Sequence, residues 1–210
     1  MKPPSTPRLS GRRAQAARND ERILESARAV FTADPDAPIA AVAEHAGVGI
    51  SALYRRYRSK EELLQRLSLD GLQRYTAEAE AALADEGDAW TAFETFMRRS
   101  LDAGTSSLTL RLAGSFAVTD ELDREGARAH ELTQRLLGRT KSAGGLRADT
   151  EVGDVSLLFE QLQAVHLGDA ARAGQLRHRY LTLLLESLHA PSSAPLPGPA
   201  PTWQEIRSRY

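Results

Sequence analysis

The sequence contains no cysteine. That excludes disulfides and thiolate-bound metal, and leaves the redox compartment open. No apolar run approaches the roughly 18 residues that a membrane-spanning helix requires, so no membrane partner is expected. The positively charged N-terminus has no apolar stretch behind it, so no secretory leader is expected and a cytoplasmic protein is the default. The five histidines, His45, His130, His166, His178 and His189, form no pair at metal-ligand spacing. Ser115 and Ser156 lack the turn signature of an activated nucleophile. Glycine-rich phosphate loops are missing, and carboxylates are spread along amphipathic faces. The chain is therefore expected to be no enzyme, with no catalytic residues, no metal and no cofactor.

Beta-formers are also scarce. Aromatic residues make up 6% of the 210 residues, and the common residues are Ala, Leu, Arg and Glu, which favour helix. The net charge of −1 hides an asymmetry: residues 1–65 hold 11 Lys and Arg against 8 Asp and Glu, whereas the remainder holds 16 against 20. Lys2, Arg8, Arg12, Arg13 and Arg18 face no acid within the first 18 residues. Such a segment suits either an unfolded arm that meets a polyanion or a solvated tail.

Apolar residues at Ile23, Leu24, Ala27, Val30 and Phe31 follow one helix face, capped by Asn19 or Asp20 and broken by the Asp34-Pro35-Asp36-Ala37-Pro38 run. A short helix with Ile39, Val42, Ala43 and Ala46 ends at Gly47. A second covers Ile50 to Tyr57. Ser59 and Glu62 have capping-box spacing and open a longer helix through Leu63, Leu64, Leu67, Leu72 and Tyr75. Helices are then expected over Ala89–Ala103, Asp120–Leu137, Thr150–Leu167 and Arg172–Leu188, with a shorter apolar stretch at Leu108–Phe116 and a loop over Gly138–Asp149. The last stretch, Ala190–Pro201, holds five of the ten prolines and is expected to be mobile and non-helical.

The segment from Ile39 to Leu64 pairs two short helices across a glycine turn and adds a third. Ala43 and Ala46 keep the crossing close, Gly47 tolerates positive φ, and Leu53 and Tyr57 point inward while Ser51, Arg55 and Arg56 point outward. This is the geometry of a helix-turn-helix, whose second helix fits the major groove of double-stranded DNA. The stretch from Ala43 to Leu63, with Arg22-Ile23-Leu24, Ala27 and Phe31 upstream, resembles the DNA-binding signature of the TetR family, the tetracycline-repressor-like regulators. The resemblance covers about 45 residues, Arg22 to about Leu67.

It implies an all-α fold with an N-terminal three-helix helix-turn-helix DNA-binding domain and a C-terminal helical ligand-binding and dimerisation domain. The expected division is a basic arm (1–18), the DNA-binding domain (19–66), the larger helical domain (67–189) and a Pro-rich tail (190–210). Carried over to this chain, the turn is Gly47, the base-facing residues are among Ile50, Ser51 and Arg55, and Tyr54, Arg56 and Lys60 contact phosphates. Ala52 stands where the family commonly has Thr, which removes one hydroxyl–phosphate contact, and Pro38 stands where it commonly has a Thr or Ser cap. The implied function is a sequence-specific transcriptional regulator, a repressor released from a palindromic operator by an unidentified small-molecule effector. Homodimerisation is expected through residues 150–168 and 172–189. The aromatic stripe Phe93, Phe96 and Met97, with Phe116, Phe159, Leu162 and His166, are the candidate ligand-cavity residues, each with ordinary core packing as its rival role. The alternative of another class is a small-molecule binding or sequestering protein whose helix-turn-helix does not bind DNA.

Overall fold

The computed structural model describes residues 11–104, 116–190 and 194–208. Among the described residues there are nine helices and no strand. The chain divides into two compact units, residues 1–63 and 64–210.

In the first unit, α1 (Gly11–Ala33), α2 (Ile39–His45) and α3 (Ile50–Arg56) precede the start of α4 (Lys60–Ala84). Helix α1 begins eight residues before the expected cap at Asn19, so residues 11–18 are helical rather than an unfolded arm; residues 1–10 of that expected arm lie outside the described residues. It ends where Asp34 turns the chain: its carboxylate accepts the Asp36 amide at 3.0 Å and its carbonyl the Ala37 amide at 3.2 Å. Pro38, extended at φ −69° and ψ 151°, then starts α2 without a side-chain cap. A proline there sacrifices no bond, because the first helical amides have no intrahelical partner. Ile23, Leu24, Ala27, Phe31, Val42, Ala43, Leu53, Tyr57 and Leu63 are buried in this unit.

The second unit continues with α5 (Ala89–Ala103), α6 (Asp120–Ser142), α7 (Val152–Gln163), α8 (Ala170–Leu188) and α9 (Trp203–Arg207). Its core gathers Phe93, Phe96, Met97 and Leu101 from α5, Leu132 and Leu136 from α6, Val155, Phe159 and Leu162 from α7, and Leu181 and Leu185 from α8. Helix α5 starts as the sequence suggests, with Asp88 accepting the Thr91 amide at 2.8 Å, and ends at Gly104 in the left-handed conformation. The expected stretch at Leu108–Phe116 lies, Phe116 apart, outside the described residues.

Three boundaries differ from the sequence reading. Helix α6 runs through Gly138 to Ser142, where a loop was expected. The two residues after Gly138 supply the reason: Arg139 donates to the carbonyls of Ala82 at 2.8 Å and Gly87 at 3.2 Å, and Thr140 is fully buried. Helix α7 stops at Gln163, four residues short of Leu167. The Pro-rich tail is not a separate mobile end. Asp149 accepts the Leu196 amide at 2.7 Å, Arg147 donates to the Ala194 carbonyl at 2.9 Å, and the chain then enters α9 through a Thr202–Glu205 capping box.

Candidate nucleic-acid interface and apolar cavity

Two short helices can act as a reading head only if their crossing is fixed. Helix α2 ends in a Schellman arrangement: the Val48 amide donates to the Ala43 carbonyl and the Gly47 amide to Glu44, both at 3.0 Å, with Gly47 at φ +63°. Arg22 of α1 donates to the Ala46 carbonyl at 2.6 Å, satisfying one more acceptor at this helix end. Helix α3 is anchored by Leu53 and Tyr57, 0% and 2% exposed. Asp20 of α1 completes the anchor. It accepts Nε and Nη2 of Arg56 at 2.7 and 2.6 Å, and the Tyr57 hydroxyl at 2.6 Å.

With that side fixed, Ile50, Ser51, Tyr54 and Arg55 share the exposed stripe of α3 at i, i+1, i+4 and i+5. Ile50 is 41% and Tyr54 47% exposed, a large apolar surface for a seven-residue helix. Among the described residues Arg55 makes no ion pair. Gly47 lies in the turn and not on this stripe. Arg56 and Lys60, expected at phosphates, are engaged inside the unit. Arg56 holds Asp20, and Lys60 donates to the Pro35 carbonyl at 3.2 Å with its ammonium 5.1 Å from the Phe31 ring centre. Ser59 caps α4 by accepting the Glu62 amide at 3.1 Å, while Glu62 reaches back to the Arg58 amide at 2.7 Å. No sequence signal announced the Asp20 network, because its partners lie 36 and 37 residues apart.

The second unit holds an apolar cavity of about 420 Å³ between α4, α6, α7 and α9. Of the candidate cavity residues, Phe116 and Phe159 line it. Phe93, Phe96, Met97 and Leu162 are fully buried core. His166, expected on a helix face, is exposed beyond the end of α7, with Nδ1 3.4 Å from Arg177. The residues that sequence reading missed are Tyr75, His130, Thr133, Trp203 and Ile206. Tyr75 packs edge-on against Phe96 and Phe159 at 5.2 and 6.3 Å. Its hydroxyl lies 2.8 Å from that of Thr133, which itself donates to the Ala129 carbonyl at 2.7 Å, so Tyr75 is the donor of the pair. Burial pushes its phenol up to about 12, so it stays protonated. The His130 ring lies tilted against Trp203, centroids 4.7 Å apart, and its Nδ1 is buried with no hydrogen-bond partner among the described residues. Desolvation holds this imidazole below its ordinary value. The available signal was the period of Leu122, Gly126, Ala129, His130 and Thr133 on α6.

Residues 23–67 match the family model of bacterial regulatory proteins, tetR family. No curated protein matches the sequence. Among solved structures, the chain is similar to the TetR-like transcriptional regulator LfrR from Mycobacterium smegmatis, crystallised in complex with proflavine. The identity is 26% over 81% of this chain and 94% of that one, with a TM-score of 0.61. It is also similar to a TetR transcription regulatory protein from Mycobacterium vanbaalenii, 27% identical over 85% and 99% of the two chains, TM-score 0.59. The fold is shared with the TetR transcriptional regulator SCO0520 from Streptomyces coelicolor, 24% identical over 82% and 99%, TM-score 0.59.

Proposed function

From the match of residues 23–67 to the tetR family model and the likeness to TetR-type structures, we propose that the chain is a TetR-family regulator that binds a palindromic operator as a homodimer and leaves it when a small aromatic molecule enters the second unit. The observation that carries the DNA-binding half is the stripe Ile50, Ser51, Tyr54 and Arg55, held outward by the Asp20 and Arg22 contacts. Arg55 reads a base edge, Ile50 and Ser51 contact neighbouring bases, and Tyr54 reaches phosphate. Arg56 and Lys60 act as positioning residues. Two recognition helices in one dimer meet half-sites about one helical turn apart, roughly 34–36 Å or a multiple of it. The repressor mode follows the usual outcome in the family.

The effector half is supported by the cavity's size, within the roughly 300–1,000 Å³ of small-molecule sites, and by its aromatic lining. Similarity to LfrR, crystallised with proflavine, points the same way. Release requires that the effector bind the non-operator state more tightly, since a ligand with equal affinity for both shifts nothing.

Selection of bound fragments from genomic DNA, followed by gel shift with the recovered sequence, tests the reading. A competitor-resistant shift supports it, and retention of DNA without sequence preference would refute the operator. Within that assay, Arg55→Ala should cost about 1–3 kcal/mol at one base position and relax specificity there. Equal binding by the variant and the parent removes Arg55 from the reading head.

A further inference from the structure

The cavity is not built from the helical bundle alone. Trp203, Ile206 and Arg207 of α9 line it together with Tyr75, His130 and Phe159. A glycine makes room for this C-terminal segment: a Cβ on Gly153 at the start of α7 would collide with the Pro201 carbonyl. Ile206 is 6% exposed, and Arg207 pairs with Asp123 of α6 at 2.8 Å.

Resting on the effector reading above, we propose that α9 forms a closing wall of the effector site, with Trp203 as the aromatic surface against which a flat aromatic molecule lies. The segment is a wall and not a plug, because about 420 Å³ remains with it docked. A ligand that fills this space touches α6 and α9 at once, and so it holds the segment down. A purely aliphatic molecule offers no ring to the Trp203 face.

The absence of cysteine gives a direct test. Ile206→Cys introduces a single thiol on the inner side of α9, and its rate of reaction with a soluble disulfide reagent reports undocking. The probe is N-phenyl-1-naphthylamine, a neutral aromatic amine with one N–H donor whose emission rises in apolar surroundings. The parent should bind it, Trp203→Ala should bind about tenfold more weakly, and Trp203→Phe should keep most of the affinity. Saturating probe should slow modification of the thiol at position 206 severalfold. Unchanged binding by Trp203→Ala overturns the wall, and so does a thiol whose reactivity stays constant or rises with probe, since a rise means the ligand displaces the segment. A parent that does not bind the probe at all refutes the aromatic effector, and this inference with it. A parent that binds while the two variants behave as above-named contraries refutes the wall alone.

Discussion

Asp20 is an acid bonded to the candidate recognition helix, and Coulomb's law alone says that deleting it should strengthen binding to a polyanion. The gain is small: a unit charge about 10 Å away in water is worth about 0.4 kcal/mol before salt screens it. The loss is larger. Among the described residues Asp20 accepts three hydrogen bonds, and Tyr57 beneath it is nearly inaccessible to water. Taking the acceptor from such a buried donor costs about 1–3 kcal/mol, and α3 loses these bonds to α1. Asp20→Ala and Arg56→Ala should therefore each lower the thermal stability of the first unit and weaken operator binding, and the double variant should be little worse than either alone. If Arg56→Ala weakens DNA binding while Asp20→Ala strengthens it, Arg56 is a phosphate ligand and not a positioning residue.

His130 gives a second prediction at this scale. Its desolvated imidazole has a folded value below the ordinary 6.5, so the folded state binds fewer protons than the unfolded one between those two values. Its contribution to stability is present above pH 6.5 and is lost as pH falls through the lowered folded value. Of the charged groups on the same cavity wall, Asp123 and Arg207 are paired with each other and Asp120 lies at the start of α6. The unfolding midpoint should drop as pH falls below 6.5, and His130→Gln should flatten that drop; an equal slope in both proteins would assign the effect to other groups.

At the same scale, the outward stripe of α3 and its inward Leu53 and Tyr57 were legible in the sequence, because helical period fixes which residues share a face. The fates of Arg56 and Lys60 were not. Long flexible side chains choose among partners that only tertiary structure supplies, here Asp20 and the Pro35 carbonyl.

Elements were legible where local rules and tertiary contacts agree. The start of α5 at Ala89, the glycine end of α2 and the Ser59–Glu62 cap of α4 all follow local chemistry. They were misread where a packing contact outweighs a local signal. Gly138 reads as a helix end at a cost of about 1 kcal/mol, yet Arg139 just beyond it satisfies carbonyls at the end of α4 and the α4–α5 turn. Each such bond to a charged donor is worth about 1.5–3 kcal/mol, so the helix continues. The tail misled by composition: five prolines mask a Thr202-x-x-Glu205 box that was present throughout.

One carboxylate ties the proline-rich part of that tail to the body. Asp149 accepts Arg147 at 2.6 Å and the Leu196 amide at 2.7 Å. The Arg147 guanidinium first, and the Leu196 amide second, hold its carboxyl well below the usual carboxylate range. The tether is therefore in force above about pH 4 and is lost as acid protonates it. Asp149→Asn keeps the shape and removes the charge at neutral pH. In the Ile206→Cys background it should raise thiol reactivity severalfold while the first unit melts as before. An unaltered rate would mean that α9 docks through Trp203, Ile206 and the Arg207–Asp123 pair without help from Asp149.

For the whole molecule, the decisive question is what covers α8. Leu181, Leu185 and Leu188 face the core, but Tyr180 and Leu183 on the same helix are 47% and 51% exposed. Two large apolar side chains three residues apart form one patch, and a symmetric pair would bury it against its own copy together with α7, as a four-helix contact. Operator affinity depends on that pairing, since linking two reading heads raises binding by about 10²–10⁴ over a single one without any new contact to DNA. Leu183→Glu places a charge in the proposed seam but leaves the core untouched. Light scattering at micromolar concentration should give the 22.9 kDa of one chain for the variant and twice that for the parent. Circular dichroism should report an intact helical fold, and operator binding should fall by at least about a hundredfold while weak, sequence-independent retention survives. If the parent already scatters as a single chain, the dimer is refuted; if the variant is monomeric yet binds the full operator like the parent, the two half-sites are not read by one paired molecule.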